Sequence, residues 1–339
     1  MHCRRVVITR PGGPDVLRMI TDPLPEPGPG EVCVKVLAAG VARADIMMRR
    51  GQYPGEVPPY PYAPGYDIAG EVHSLGEDVQ GLEVGQLVAA LTGVGGYAEY
   101  LCVPAAWLVP VPHGLDPAEV VSLVLNYLTA YQMMHRFASV REGERILVHA
   151  AASGVGTALL QLGRLLDLRM WGTASAGKHP VVESLGAIPI DYRSEDFVRR
   201  VRREADGGVD AAFDPVGGGH LWRSYRALRP GGRLIAFGEM ALTGPGKPAW
   251  SERVLHAYLP RVLNYLPGGR SVRWYEVFDE NREHPDWYRH DLAMLIELLE
   301  AGKIRPVIAE RMPLAEAARA HELIEGAAVS GKIVLMCQE

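Results

Sequence analysis

The sequence predicts an α/β chain in two parts, a β-rich barrel-like domain and a doubly wound parallel sheet. Three observations carry this expectation. The chain has 339 residues, beyond the size at which single hydrophobic cores stop growing. Its first third holds short alternating segments separated by glycine and proline, and after residue 122 apolar runs alternate with helical patterns.

The first part reads as strands at Met1–Thr9, Glu31–Ala38, Tyr66–Leu75, Gln86–Leu91 and Ala98–Pro104, each ending at turn-forming residues. In the second part Arg145–Ala150, Leu168–Ala174, Ile188–Tyr192, Val209–Asp214 and Arg233–Gly238 are strand-like runs spaced by roughly twenty residues. Such a β-α-β alternation predicts a parallel sheet. Helices are expected over Thr157–Leu166 and Pro285–Ala301, and Gly331–Leu335 reads as a closing strand. Between them Ala241–Asp291 sets Trp250, Trp274, Tyr275, Phe278 and Trp287 among charges. That stretch is either a partly helical insertion lining a substrate pocket or an aromatic core or dimer surface.

Composition excludes several classes. With 35 basic and 40 acidic residues interspersed and a net charge of -5, no basic patch offers counterion release to nucleic acid. The longest apolar stretch, Val120–Tyr131, is broken by Ser122 and Asn126 and is too short to span a bilayer, so no integral membrane association is expected. Arg4 and Arg5 precede only a brief apolar run, unlike a signal peptide, and Cys337 stands outside a prenylation box. The expected location is the cytosol. Cys3, Cys33, Cys102 and Cys337 are scattered with no C-x-x-C pair, and free thiols are expected.

The turn Ala151-Ala152-Ser153-Gly154-Val155-Gly156 joins a strand to a helical run. Small residues there let the backbone approach a pyrophosphate, whose charge then sits on a helix N-terminus. Where NAD is bound, an acidic residue about twenty positions on holds the ribose hydroxyls. Here the second strand ends in Thr173-Ala174-Ser175-Ala176-Gly177-Lys178, without a carboxylate. Ser175 offers a hydrogen bond and Lys178 a charge to an extra phosphate, so NADPH is expected in preference to NADH.

Asp45-x-x-x-Arg49-x-Gly51-x-Tyr53, Pro64-Gly65-Tyr66-Asp67-x-x-Gly70-x-Val72 and Asn126-Tyr127-Leu128-Thr129-Ala130-Tyr131 are passages with a familiar pattern. So are His149-Ala150-Ala151-Ala152, Gly172 to His179, Asp214-Pro215-Val216-Gly217-Gly218 and Gly331-Lys332-Ile333-Val334-Leu335. In this order they resemble the zinc-independent quinone oxidoreductase branch of the medium-chain dehydrogenase/reductase superfamily, and more closely its vesicle amine transport protein 1-like branch. The resemblance implies a GroES-like catalytic domain at 1–124, completed by 302–339, and a Rossmann NADP(H)-binding domain at 125–301. It also implies a homodimer, with strands near Arg233–Gly238 and Arg270–Phe278 pairing across an edge. By matching motif, Thr129 would contact the nicotinamide, and Asn126 belongs to the same cofactor-binding set. Gly154, Val155 and Gly156 would hold the pyrophosphate, with Ser153 in the same cofactor-binding set, and Ser175, Lys178 and Tyr192 the 2′-phosphate. Gly217, Gly238 and Lys332 would border the cofactor.

Zinc-dependent relatives carry a Gly-His-Glu motif and an early cysteine, since a catalytic zinc needs three protein ligands and an open position. This chain has Gly65-Tyr66-Asp67, and Val41-Ala42-Arg43-Ala44-Asp45 lacks the cysteine. No metal is expected. Hydride transfer then needs an acceptor that spreads the incoming charge itself, such as a quinone or an α,β-unsaturated carbonyl. Tyr53 and Tyr66 are candidate proton donors, with packing in an apolar cleft as the alternative. Asp45 is either a catalytic group or half of an ion pair with Arg49. Ala42 replaces an asparagine common in relatives and Met47 a tyrosine found in some, which makes the pocket more apolar. His149 reads as a buried strand-end residue rather than a base. Other readings are a reductase dedicated to one biosynthetic intermediate and a cofactor-binding protein with little turnover acting through protein or lipid contacts.

Overall fold

Runs of small and β-branched residues set the strand pattern. The structure, a computed structural model, describes residues 2–238, 240 and 258–338. Two compact units divide the chain, Met1–Asn126 with Leu292–Glu339 and Tyr127–Asp291. The second boundary falls inside a helix rather than at residue 301.

In the first unit β1 (His2–Ile8) and β2 (Leu17–Pro23) pair antiparallel. The long strand β3 (Glu31–Val41) is buried almost continuously, with Val32, Cys33, Val34, Val36, Ala38 and Ala39 inaccessible. Such a run marks a strand covered on both faces. After it come α1 (Arg43–Arg49), β4 (Asp67–Leu75), β5 (Leu87–Leu91), β6 (Tyr100–Pro104), β7 (Val109–Pro110) and α2 (Pro117–Ser122). Asp116 caps α2 by accepting from the Ala118 N–H, and Pro117 occupies its first turn, as helix starts favour. Cys33 on β3 stands opposite Cys102 on β6, so two thiols far apart in sequence are neighbours; all four cysteines are free.

The second unit opens with α3 (Leu128–Gln132) and continues through β8 (Arg145–Val148), α4 (Gly154–Leu165), β9 (Arg169–Ala174), α5 (His179–Ser184) and β10 (Ile188–Asp191). It goes on with α6 (Phe197–Glu204), β11 (Val209–Asp214), α7 (His220–Ala227), β12 (Leu228–Ala236), β13 (Ser271–Trp274) and α8 (Val277–Glu283). The six strands pair in parallel in the order β10-β9-β8-β11-β12-β13. The order reverses between β8 and β11, a switch point outside whose carboxyl ends ligands bind in open α/β sheets. One expectation is corrected. The strand near Arg233–Gly238 is β12, an interior strand flanked by β11 and β13, so of the two strands expected at a dimer edge only β13 lies at one. Within the aromatic stretch Tyr275 is buried and Trp274 is 37% exposed on β13. Trp250 lies outside the described residues.

The helix α9 (Pro285–Glu300) leads back to the first unit, followed by β14 (Ile308–Pro313), α10 (Ala317–Glu325) and β15 (Lys332–Met336). There β15 pairs antiparallel with β3 and parallel with β14, giving the order β14-β15-β3-β4-β5-β7 with β6 also on β3.

Candidate functional site

The phosphate cradle forms where β8 ends. The Ala151 N–H donates to the Thr173 carbonyl on β9, and the Ser153 N–H turns back to the Ala150 carbonyl. Ser153 then caps α4, its hydroxyl accepting from the Gly156 N–H at 3.1 Å. Gly154, Val155 and Gly156 therefore form the first helical turn and not the connecting loop, because a serine cap starts the helix one residue after itself. Apart from the Gly156 N–H, which the Ser153 hydroxyl takes, first-turn amides have no acceptor within their own helix, and the helix dipole adds to their pull on an anion. Gly156 is required by space: a Cβ there would lie 2.3 Å from the Ala150 carbonyl oxygen. This close packing seats the start of α4 directly against the end of β8, where its free amides would meet a pyrophosphate.

The neighbouring strand ends carry the next residues. Ala174 on β9 pairs with Asp191 on β10, which places Ser175 and Tyr192 at the adjacent carboxyl ends. A short turn from Ser175, closed by the Lys178 N–H on the Ser175 carbonyl at 2.8 Å, presents the lysine. Lys178 is half-buried, and burial pulls its ammonium below the usual lysine range. Tyr192 is 52% exposed, with the Arg193 guanidinium 5.7 Å from its ring centroid. Sequence reading passed over Arg193, whose signal was its place directly after the tyrosine. The nearby Asp191 carboxylate accepts from the Arg193 N–H and the Ser194 hydroxyl, and those bonds hold it below the ordinary carboxylate range.

Further along the sheet, Asp214 at the end of β11 accepts from the Val216 and Gly217 N–H groups at 2.7 and 3.1 Å. The Phe237 N–H donates to the Asp214 carbonyl, which brings Gly238 to the same end as Gly217. Thr129 on α3 is 6% exposed, and its hydroxyl bonds Tyr275, whose phenol donates to Gln132 Oε1 at 2.7 Å. The second unit thus gathers Ser153, Gly154, Val155, Gly156, Ser175, Lys178, Tyr192, Gly217 and Gly238 at the carboxyl ends of its strands. Asn126 lies in the first unit, 7% exposed in a π-helical turn, a local irregularity that often marks functional positions.

In the first unit the Tyr66 hydroxyl donates to the Tyr53 hydroxyl, with the rings edge-on at 6.2 Å. Tyr66 is buried and Tyr53 half-buried. Asp45 is inaccessible, and its carboxylate accepts from the Ala42 N–H at 2.7 Å, the Gly65 N–H at 3.0 Å and the Tyr97 hydroxyl at 3.2 Å. Burial pushes Asp45 up to about 7 against the opposing bond from Ala42. A carboxyl enclosed in this way cannot touch a substrate. Its part is to fix Gly65 and so the tyrosine that follows, which corrects the catalytic expectation. The expected ion pair with Arg49 is also corrected: Arg49 pairs with Glu325 on α10, because Asp45 is spent on backbone donors. Tyr97 also contacts His321 Nε2 at 3.1 Å, and burial pushes that histidine down to about 3.

Lys332, expected beside the cofactor, is 3% exposed and binds Asp67 at 2.8 and 3.2 Å. Gly40 makes room for this pair, since a Cβ there would lie 2.3 Å from Lys332 Cε and 2.4 Å from Asp67 Oδ1. The ammonium is held by its carboxylate.

Comparison with known proteins agrees with this geometry. The alcohol dehydrogenase GroES-like domain matches residues 28–113, and the zinc-binding dehydrogenase family matches residues 185–335. The rat (Rattus norvegicus) synaptic vesicle membrane protein VAT-1 homolog is 34% identical over 341 residues, covering 98% of this chain and 84% of that protein. A probable quinone oxidoreductase of Schizosaccharomyces pombe is 32% identical, covering 98% and 97% of the two chains. The crystal structure of Escherichia coli quinone oxidoreductase complexed with NADPH superimposes with a TM-score of 0.87 at 26% identity, covering 98% of this chain and 99% of that one. A GroES-like unit together with a Rossmann-like nucleotide-binding unit in one chain, with these relatives, means that the chain belongs to the medium-chain dehydrogenase/reductase superfamily, close to VAT-1 homologues and quinone oxidoreductases.

Proposed function

We propose that this protein is an NADPH-dependent reductase that passes hydride to a quinone or an α,β-unsaturated carbonyl without a metal. The observation that carries the reading is the set of groups at the carboxyl ends of β8, β9 and β10. A serine-capped, glycine-packed helix start suits a pyrophosphate, and Ser175, Lys178 and Tyr192 lie together at the carboxyl ends of the next two strands, offering a hydroxyl, an ammonium and an aromatic ring to a ribose 2′-phosphate. NADPH supplies the hydride when bound. Ser175 and Lys178 hold its distinguishing phosphate, with Tyr192 flanking it. Tyr66 donates to Tyr53, which orients the half-buried Tyr53 hydroxyl to give its proton to the reduced substrate, and Asp45 keeps Gly65 in place behind them. The positions that hold zinc ligands in zinc-dependent relatives are committed elsewhere, Tyr66 to Tyr53 and Asp67 to Lys332.

The test follows absorbance of the reduced nicotinamide with the purified protein, NADPH and a panel of quinones and enones. Turnover with at least one class is expected. Tight NADPH binding without turnover across the panel would replace this reading with a binding role, which the vesicle-protein names of the 34% and 33% identical relatives favour. In the same assay with an enone, Tyr53→Phe is expected to lower kcat by about 100-fold with KM little changed, as loss of a general acid does. An unchanged kcat would take the proton donor away from Tyr53. Among the described residues no helix is long and apolar enough to cross a membrane, and the cytosol is the compartment proposed.

A further inference from the structure

We infer that His149 is a positioning residue for the dinucleotide, its ring joining the ends of β8, β9 and β11 through Thr173, Ser224 and Asp214 and so fixing both the turn after β8 and the turn after β11. The inference rests on the NADPH reading above. His149 follows the last residue of β8 and leads directly into Ala150, the residue against which the cradle closes. Its Nδ1 lies 3.0 Å from the Thr173 hydroxyl on β9. Its Nε2 lies 3.1 Å from the Ser224 hydroxyl on α7, which donates to Asp214 Oδ2 at 2.5 Å. The other oxygen of Asp214 holds the Val216 and Gly217 N–H groups of the second turn. His220 Nδ1 completes the chain at 2.8 Å from Asp214 Oδ2.

The shortest contact selects the proton arrangement. An ionised carboxylate only accepts, and a serine hydroxyl has one proton to give. Ser224 gives it to Asp214, a charged acceptor at 2.5 Å, in preference to the His220 carbonyl at 3.3 Å, and His149 then donates from Nε2 to Ser224 and accepts from Thr173 at Nδ1. The ring is neutral, since burial pushes His149 down to about 3 despite the nearby Asp214. Burial alone would raise Asp214, but its bonds to His220 and Ser224 hold the carboxyl below the ordinary range. Phe197 and His220 pack edge-on against the imidazole at 4.7 and 4.5 Å, which fixes the ring plane.

A metal is the competing use of these groups. His149, Asp214 and His220 offer ligand atoms within 4.8 Å of one another. The Ser224 oxygen, however, lies among them, 3.1 Å from His149, 2.5 Å from Asp214 and 3.4 Å from His220. A hydroxyl fills that space, and the Nε2 that would face an ion carries the proton.

The experiment measures NADPH and NADH affinity for the full-length protein and for Ser224→Ala and His149→Gln, with nitrogen-15 NMR of the histidines. Both variants are expected to weaken NADPH and NADH alike, by about 10-fold, the scale on which outer partners tune a bound group. Equal loss is the signature, because neither turn is the one that meets the 2′-phosphate distinguishing the two nucleotides. NMR of the parent at neutral pH is expected to show a neutral His149 with its proton on Nε2, a readout that needs no variant to fold. A proton on Nδ1, folded variants with both affinities within twofold of the parent, or stoichiometric zinc that Ser224→Ala retains and His149→Gln loses would each overturn the inference. A parent that binds neither nucleotide brings down the NADPH reading itself, whereas a parent that binds while the variants are unaffected brings down only this one.

Discussion

Lys178→Glu is expected to weaken NADPH binding by about 100-fold while NADH affinity changes by no more than about threefold. Hydrogen bonds to charged groups contribute about 1.5–3 kcal/mol, and each 1.4 kcal/mol is roughly tenfold. The substitution removes the attraction and adds a carboxylate facing the phosphate, so the upper part of that range applies. Lys178 is half-buried and already held below the usual lysine range by burial. A phosphate beside it would favour the charged ammonium, and NADPH therefore gains more from this lysine than from a fully solvated one. Fluorescence titration with both nucleotides reads the difference. Similar losses for the two would remove Lys178 from the 2′-phosphate.

Lys332→Met is expected to cost the fold about 3–5 kcal/mol, the usual result of leaving one member of a buried ion pair without the other. Thermal denaturation should show a fall in Tm on the order of 10 °C. Asp67, inaccessible in the sheet, is pushed up by burial and pulled back by Lys332. Without the ammonium its folded value rises further above that of the unfolded chain. A folded state that binds the extra proton loses stability as pH rises through that window, so the deficit should be largest at neutral pH and shrink as the solution is acidified. Pairing the change with Asp67→Leu should return most of the loss, since neither charge is then buried alone. A single variant melting within 2 °C of the parent at neutral pH, where about 1 kcal/mol is the corresponding scale, would show that the pair contributes little.

The parallel strands were legible because a strand buried on both faces is a short, mostly apolar run. Val209–Asp214 matches the observed β11 to the residue. The start of α4 was less legible: two glycines in Gly154-Val155-Gly156 signal a turn, yet Ser153 capping and the tight approach to Ala150 make them helical. Asp45 and Arg49 have the spacing of a helical ion pair, but the partners that win are Gly65 and Glu325, brought in by tertiary folding and invisible to local spacing. The same holds for Lys332 with Asp67 and for Cys33 opposite Cys102. Motif positions located the nucleotide site; which side chains are committed to one another needed coordinates.

The first unit draws on both flanks of the second, and β15 lies between β3 and β14. A ribosome making this chain releases β3 long before the segment that will lie along it. Until residues 332–336 emerge, the stretch Ala38–Val41 has an open hydrogen-bonding edge. The second unit is one uninterrupted stretch, Tyr127–Asp291, whose strands can all pair before synthesis ends. Nascent chains should therefore organise their nucleotide-binding half first, while the β-rich half waits, an exposed edge in need of shielding.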